Sequence, residues 1–208
     1  MTEPKPSLGE CLRDLRRRSD WTLAQVSEMT GLAVSTLSKV ENNQMSLTYD
    51  KLLQLAQGLK VDIVELFGNR QPPGSGGRGR RAISRQGAGQ SIQTRTYDYV
   101  YVCAELSRKR MVPMTGLVRA RSIDEFEDLI RHPGEEYTYV LEGELELHTE
   151  LYAPTRLAAG DSIYFDSTMG HAYVSVGPGP ARILCICTMS EQDLADTAAA
   201  EQITPLPG

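Results

Sequence analysis

One short segment near the N-terminus carries side chains suited to contacting DNA. Residues 34 to 42 have the apolar spacing of a helix that turns Leu37 and Val40 toward a core. The residues left outside are Val34, Ser35, Thr36, Ser38 and Lys39. An ordinary solvated face would carry long Glu and Lys side chains, whereas short polar side chains at the start of an exposed helix can reach the edges of bases. The segment therefore indicates DNA recognition.

A capped helix and a tight turn precede this segment and position it. Thr22 and Gln25 have the spacing of a capping box, which predicts that a helix begins just after Thr22. Gly31 stands where a helix C-cap needs positive φ, and three residues later the next helical pattern begins. The two helices together have the spacing of a helix-turn-helix.

Three more helical patterns surround the pair. Apolar residues recur at helical spacing in residues 8–15, 52–59 and 63–67. Pro6 and Ser7 precede the first of these helices, and Ser46 or Thr48 can cap the fourth. The sequence predicts an all-α unit of five helices over residues 7–68.

With these residues in this order, residues 7–68 resemble the lambda-repressor/Cro-like (XRE) helix-turn-helix family, including the SxxE run from Ser38 to Glu41. The resemblance implies that Val34, Ser35, Thr36 and Lys39 lie at the major groove of double-stranded DNA, with Ser38 as a base or phosphate contact. One departure is Ala33, which replaces the Ser or Thr that the family places as the cap of the recognition helix.

The same resemblance implies a set of phosphate contacts beside the groove. The candidates are Thr22, Asn42, Asn43 and one arginine of the run Arg16, Arg17 and Arg18. Of the three arginines, Arg17 is the predicted phosphate contact. A solvated helix face is the alternative interpretation of the three arginines.

Length and composition set the outer limits. The 208 residues suffice for two modest domains, and a hydrophobic content of 40% supports packed cores. The sequence contains neither a run of 18 apolar residues nor an apolar leader, so we expect a soluble cytoplasmic protein without membrane contact. The four cysteines are Cys11, Cys103, Cys185 and Cys187. We expect them to be buried and reduced, with a redox sensor as the alternative.

The net charge of −5 is unevenly distributed. Residues 1–68 hold 8 basic and 9 acidic side chains, residues 69–95 hold 6 arginines and no acid, and residues 96–208 hold 8 and 18. A nearly neutral N-terminal part can bind DNA if its basic groups share one face, with modest and salt-sensitive affinity. Residues 69–81, rich in Pro, Gly and Arg, are interpreted as a linker whose arginines either contact DNA or solubilise a tether.

From about residue 82 the hydrophobic period changes to two. The alternating segments are TYDYVYVCAEL, EEYTYVLEGELELH, GDSIYFD, HAYVSV and ARILCICTM. They predict a sandwich or barrel over residues 82–189, followed by a tail over residues 190–208. Residues 142–144 predict a β-hairpin turn, because the strands on both sides alternate.

Two segments of this region, residues 132–143 and 160–173, resemble the paired motifs of the cupin family of all-β double-stranded β-helix (jelly-roll) barrels. Metal-binding cupins take two histidines and a glutamate from the first motif and a histidine from the second. His132, Glu136 and His171 match three of these positions, and Ile130 replaces the remaining histidine.

The cupin resemblance implies a ligand site inside the barrel. Two imidazoles and a carboxylate can hold Fe(II), Mn(II), Ni(II) or Zn(II), and the alternative is an organic effector pocket with neutral histidines as donors. Alternation turns Thr138 inward with Glu136, and Tyr173 inward with His171. Tyr173 then either offers its phenol to an effector or packs in the core. We expect His148, at a strand end, to be solvated.

Together the two resemblances match bacterial transcription regulators that join a Cro-like domain to a cupin sensor. They imply a homodimer that binds a pseudo-palindromic operator and responds to a small-molecule effector or a metal. The alternative is a metal-dependent cupin enzyme, of dioxygenase or isomerase type, with an attached DNA-binding domain. Because the ligand set is incomplete and no other acid/base constellation is present in the sequence, we favour a regulator that is not an enzyme.

Overall fold

Helices make up the first part of the chain. The structure is a computed structural model that describes residues 6–68, 80–107 and 109–188. Its helices are α1 (Leu8–Arg18), α2 (Leu23–Thr30), α3 (Val34–Glu41), α4 (Tyr49–Leu59) and a 3₁₀ helix at Ile63–Phe67. The predicted count of five α-helices is not confirmed, because the last segment is five residues long and winds as the tighter 3₁₀ form.

Capping explains where these helices begin and end. The predicted capping box of Thr22 and Gln25 is present, and Gly31 ends α2 with a φ of 71°. Ala33 is the N-cap residue of α3, and its methyl group cannot accept a hydrogen bond. The recognition helix therefore lacks a side-chain cap at Ala33, as predicted. Of the two predicted caps of α4, Thr48 stands at the N-cap, but its side chain makes no cap hydrogen bond among the described residues.

A close approach of two helices places α3. A Cβ atom on Gly9 of α1 would lie 2.2 Å from the carbonyl oxygen of Val40, so only glycine fits this crossing. The largest fully buried side chains of this unit include Leu12, Leu37, Leu52, Leu55 and Leu66. They form the core on which α3 rests, as the apolar spacing predicted.

Antiparallel strands form the second part. They are β1 (Gln90–Gln93), β2 (Tyr97–Tyr101), β3 (Met111–Val118), β4 (Glu135–Glu142), β5 (Glu144–Thr149), β6 (Thr155–Ala158), β7 (Ser162–Asp166), β8 (His171–Ser175) and β9 (Ala181–Thr188). One sheet has the order β1-β2-β3-β9-β4-β7 and the other the order β6-β5-β8. A β-rich fold was predicted, and these two sheets are consistent with a cupin barrel.

The predicted hairpin at residues 142–144 is wrong. Strands β4 and β5 meet at Gly143, which has a φ of 80°, but they belong to different sheets. The register of β4 against β9 shifts between Val140 and Glu142, which bends the strand at this point. The turn therefore carries the chain from one sheet to the other.

Sequence patterning missed strand β3. Pro113 and Gly116 interrupt its alternation, and both residue types weaken a strand prediction. In the structure β3 pairs along its whole length with β9, from Met111 opposite Thr188 to Val118 opposite Ala181. Non-local pairing thus overrides the local signal.

Contacts divide the chain into two units. Of the described residues, one unit contains 6–68, 80–83 and 104–107, and the other contains 84–103 and 109–188. Apart from residues 80 and 81, the predicted linker (69–81) and the predicted tail (190–208) lie outside the described residues. Within the described ranges, no helix combines the length and apolar character needed to cross a membrane.

Candidate functional site

The outer face of α3 lies as the sequence predicted. Leu37 and Val40 are buried, Val34 is 44% exposed, and Ser35 and Lys39 are exposed, with Thr36 and Ser38 half-buried. The face therefore presents small and hydroxyl-bearing side chains with one cation to solvent. Such a surface can enter a groove without steric obstruction.

A buried ion pair fixes α3 to α1. Glu41, at the end of α3, is 5% exposed and accepts two hydrogen bonds from Arg16, at 2.7 Å from Nε and 2.9 Å from Nη2. Arg16 also donates to the carbonyl oxygen of Trp21 at 3.1 Å. Parallel bonds of this kind fix orientation as well as distance. Sequence reasoning noted Glu41 only as part of the SxxE run and did not find its partner, because the two residues are 25 positions apart.

The two other arginines of the run differ from Arg16. Arg18 pairs with Asp14 at 2.9 Å, whereas Arg17 is exposed. Arg16 is therefore engaged inside the unit, whereas Arg17 is open to solvent. The phosphate contact of Arg17 stays a prediction.

The remaining predicted phosphate contacts flank α3 and α2. Asn42 accepts from Arg13 at 2.8 Å and donates to the carbonyl oxygen of Ser38 at 2.9 Å, so its side chain closes the helix end. Asn43 is exposed and has a φ of 55°. The Thr22 hydroxyl is occupied by the capping box, so this residue offers the backbone N–H groups of the α2 N-terminus more than its own hydroxyl.

Replacing Glu41 by Gln tests the anchoring of α3. Because the charge of a buried, doubly hydrogen-bonded partner is lost, we expect the free energy of unfolding of this unit to fall by about 2 kcal/mol. Urea unfolding followed by the fluorescence of Trp21, the one tryptophan of the sequence, measures it. Exposed Glu28 provides the matched control, and Glu28→Gln should change stability by less than about 0.5 kcal/mol. Equal effects of the two substitutions would contradict the anchoring role.

A second cluster lies inside the β-rich unit. His132 comes just before β4, Glu136 and Thr138 lie on β4, and His171 and Tyr173 lie on β8. All five are buried, with exposures of 4% or less. The structure thus brings together every residue predicted for the effector and metal sites.

The carboxylate of Glu136 is the centre of this cluster. Its Oε2 lies 3.1 Å from His132 Nε2 and 3.7 Å from His171 Nε2. Its Oε1 accepts from the hydroxyls of Tyr173 at 2.6 Å and Thr138 at 3.0 Å. Tyr173 therefore belongs to the polar network and is not a mere core residue.

Backbone contacts orient His171. Its Nδ1 lies 2.9 Å from the carbonyl oxygen of Met169, and since a carbonyl only accepts, Nδ1 carries the proton. Nε2 is then the nitrogen that faces the carboxylate of Glu136. Ile130, which stands in place of the fourth cupin ligand, pairs with His171 through two backbone hydrogen bonds of 2.9 and 3.0 Å. It contributes backbone support and no ligand.

Electrostatics keep Glu136 ionised. Burial raises the pKa of this carboxyl, but the hydrogen bond from His132 and the charges of His171 and His132 outweigh it and lower the pKa to about 2. Burial and the adjacent carboxylate raise the pKa of Tyr173 well above its ordinary value. The phenol of Tyr173 therefore stays protonated and donates a hydrogen bond to the carboxylate of Glu136.

Sequence analysis missed one member of the cluster, Cys187 on β9. Its Sγ lies 3.5 Å from Glu136 Oε2 and 4.0 Å from His132 Nε2. Cys187 stands directly opposite Glu136 in the β4–β9 register, and Cys185 is the next thiol on the same face, with 3.7 Å between the two sulfurs. Both thiols are buried, as expected from the sequence, but only the pairing of β4 with β9 shows what they face.

The donors present fit a metal ion. Among the described residues, ligand atoms of His132, Glu136 and Cys187 lie within 4.8 Å of one another, and all three side chains are buried. Imidazole nitrogen, carboxylate oxygen and sulfur are the donors that transition metals and zinc take in proteins. Bound there, a cation supplies Lewis acidity to whatever small molecule reaches the barrel interior.

A cavity of about 540 Å³, partly open to solvent, lies beside the cluster, and none of the five cluster residues lines it. Its wall includes Leu147, Tyr152, Ile163, Phe165 and Met169. The Phe165 ring packs edge-on against the ring of His171, with 4.9 Å between centroids. The volume is that of a small-molecule site. His148 lies apart from the cluster and is half-buried, with Nε2 2.8 Å from Glu146 Oε1, so the prediction of a solvated side chain is wrong.

Comparison with known proteins identifies both parts of the chain. Residues 12–66 match the helix-turn-helix family and residues 124–187 match the cupin domain family. The chain therefore joins a helix-turn-helix domain of XRE type to a C-terminal cupin domain, and the two resemblances seen in the sequence are confirmed.

Individual relatives cover the chain to different extents. The HTH-type transcriptional regulator SutR of Escherichia coli (strain K12) is 35% identical over 54 residues, which are 26% of this chain and 30% of SutR. The match thus spans less than a third of SutR. An HTH_3 family transcriptional regulator from Vibrio cholerae has a similar fold, with a TM-score of 0.58 and 17% identity over 88% of this chain and 96% of that one.

Proposed function

We propose that this protein is a sequence-specific DNA-binding transcription regulator. The observation that carries the proposal is the outer face of α3, where exposed short side chains and Lys39 stand on a helix that Glu41 and Arg16 anchor rigidly. A rigid helix of this kind can enter a major groove as one body. In this arrangement Ser35, Thr36 and Lys39 contact base edges, and Val34 packs against a thymine methyl group.

Phosphates would flank this groove contact. The N-terminus of α2 at Thr22, the exposed Asn43 and the exposed Arg17 each offer donors, and Asn42 and Ser38 border the same helix. Because the helix-turn-helix domain has almost no net charge, phosphate contacts of a single copy give modest affinity. A homodimer that places two α3 helices in successive major grooves, about 34 Å apart, increases the affinity for DNA. As a regulator of transcription, the protein would act in the cytoplasm, in contact with the chromosome.

The cupin domain, in this proposal, binds the signal. The cluster of His132, Glu136, Thr138, His171 and Tyr173 supplies polar contacts for a small molecule or a divalent metal. The cavity beside it is large enough for an effector, and Phe165 joins the cavity wall to His171. Occupancy changes operator affinity only if the effector binds the DNA-competent arrangement of the dimer differently from the other arrangement.

Selection of DNA from a random double-stranded pool by the full chain tests DNA binding. The expected product is an inverted repeat whose half-sites are one helical turn apart, and footprinting on the promoter beside the gene should show the same repeat protected. Recovery of unrelated sequences with no shared repeat would rule out sequence-specific regulation. Recovery of one half-site without its mate would retain DNA binding and rule out the dimer.

A further inference from the structure

The buried cluster contains a ligand type that lies outside the cupin metal pattern. Three of its members, His132, Glu136 and His171, match the motifs, but the thiol of Cys187 comes from the last strand of the domain. Cys187 is 1% exposed, and its neighbours across the site are the carboxylate of Glu136 and the ring of His132. A buried thiol in such polar surroundings calls for an explanation that ordinary packing does not give.

Distances between the ligand atoms match a tetrahedral site. Bonds of 2.0–2.3 Å to nitrogen, oxygen and sulfur, at tetrahedral angles, separate neighbouring ligand atoms by about 3.3–3.6 Å. The separations are 3.1 Å between His132 Nε2 and Glu136 Oε2, 3.5 Å between Cys187 Sγ and Glu136 Oε2, and 4.0 Å between Cys187 Sγ and His132 Nε2. Side-chain adjustments of a few tenths of an ångström bring all three onto one ion.

His171 lies beside this site on β8, but outside the compact group that His132, Glu136 and Cys187 form among the described residues. Its Nε2 is 3.7 Å from Glu136 Oε2, and the contact of Nδ1 with the Met169 carbonyl turns Nε2 toward the carboxylate. One imidazole nitrogen, one carboxylate oxygen and one sulfur make three protein ligands. Three protein ligands leave the fourth position of a tetrahedral ion open to a small molecule.

We propose that Cys187 is a metal ligand and that the site therefore takes a thiophilic cation, Zn²⁺ by preference, over Mg²⁺ and Mn²⁺. Sulfur favours zinc, whereas hard cations prefer oxygen ligands. When the ion binds, Cys187 coordinates as the thiolate and its proton passes to solvent. The inference rests on the proposed sensing role of the cupin domain, and it specifies the signal as the ion itself or as a molecule held by it.

Cys185 supplies the matched control. It lies two residues earlier on the same strand and face, where it stands opposite Thr138. The compact ligand group found among the described residues includes Cys187 but not Cys185. Loss of the Cys185 thiol should leave the ligand set intact. Loss of the Cys187 thiol should remove one ligand while Ser preserves the shape of the core.

Cobalt substitution of the full-length protein tests the proposal. Protein purified without a chelating column is stripped with a chelator and titrated with Co²⁺, and absorption in the near ultraviolet reports sulfur-to-cobalt charge transfer. The wild type and Cys185→Ser should show this absorption and Cys187→Ser should lose it. Zn²⁺ affinity should fall about 100-fold in Cys187→Ser, and the weak Mn²⁺ affinity should stay within about threefold. Circular dichroism of each variant establishes that it is folded, and Cys187→Ala is the second variant if Cys187→Ser is not.

Each outcome has a separate meaning. Charge transfer that persists in folded Cys187→Ser, or cobalt bound by the wild type without any charge transfer, overturns the role of Cys187 and leaves a metal site of His132, Glu136 and His171. A wild-type protein that takes up neither Co²⁺ nor Zn²⁺ overturns this inference together with metal sensing. That result does not affect DNA binding or the organic effector pocket, and the DNA selection described above tests DNA binding independently.

Discussion

Replacing Ser35 and Lys39 together by Ala should reduce the affinity for the selected operator at least about 100-fold. Each side chain stands exposed on the outer face of α3, and a good contact to a base edge contributes about 1–3 kcal/mol of discrimination. Two contacts are lost in each half-site, so the effects accumulate in a dimer. Titration of labelled operator at fixed salt measures the loss, because affinity for DNA depends steeply on salt.

The control for this double variant removes a positive charge elsewhere in the same domain. Lys60 is exposed at the end of α4, and Lys60→Ala should leave operator affinity within about threefold, as expected for a charge that touches no phosphate. Binding to unrelated DNA should change little in either protein. If the double variant of Ser35 and Lys39 and the control variant Lys60→Ala weaken operator binding equally, α3 does not determine the specificity.

Replacing Glu136 by Gln should destabilise the cupin domain by about 3 kcal/mol at neutral pH and by much less in acid. The pKa of this carboxyl lies at about 2 in the folded domain, below its ordinary 4.5. A carboxyl with a depressed folded pKa adds stability that is present in full above pH 4.5 and is lost as the pH falls toward 2. A shift of this size corresponds to about 3 kcal/mol.

Chemical unfolding with a chelator present measures this effect, followed by near-ultraviolet circular dichroism of tyrosine. Every tyrosine except Tyr49 lies after residue 90, so the signal reports the cupin domain. Glu135→Gln is the neighbouring control, since Glu135 points outward and is exposed, and it should cost less than about 0.5 kcal/mol. A gap between wild type and Glu136→Gln that stays constant from pH 7 to pH 2 would mean that Glu136 is not ionised in the fold.

Local chemistry made the helix-turn-helix domain predictable. The capping box at Thr22, the C-cap at Gly31 and the apolar pair Leu37 and Val40 each act within a few residues, and the structure has all of them where the sequence placed them. The pairing of Glu41 with Arg16 was not predictable in the same way, because it joins two helices that are adjacent only after folding.

The cupin domain shows the same division. Alternation correctly turned Glu136, Thr138, His171 and Tyr173 inward, and each is buried. Alternation cannot say which strands are neighbours, so it gave a hairpin at Gly143 where the chain changes sheets, and it left Cys187 without a role. The missing information is the register of strands that lie far apart in sequence.

The central position of β9 has a consequence for the newly made chain. This last strand pairs with both β3 and β4, so the six-stranded sheet cannot close until residue 188 has been synthesised. The helices end at Phe67 and can fold as soon as they leave the ribosome. At about 5–20 residues per second, the remaining chain takes roughly ten seconds. During each round of translation the helix-turn-helix domain can thus be folded for a time before the cupin domain is complete.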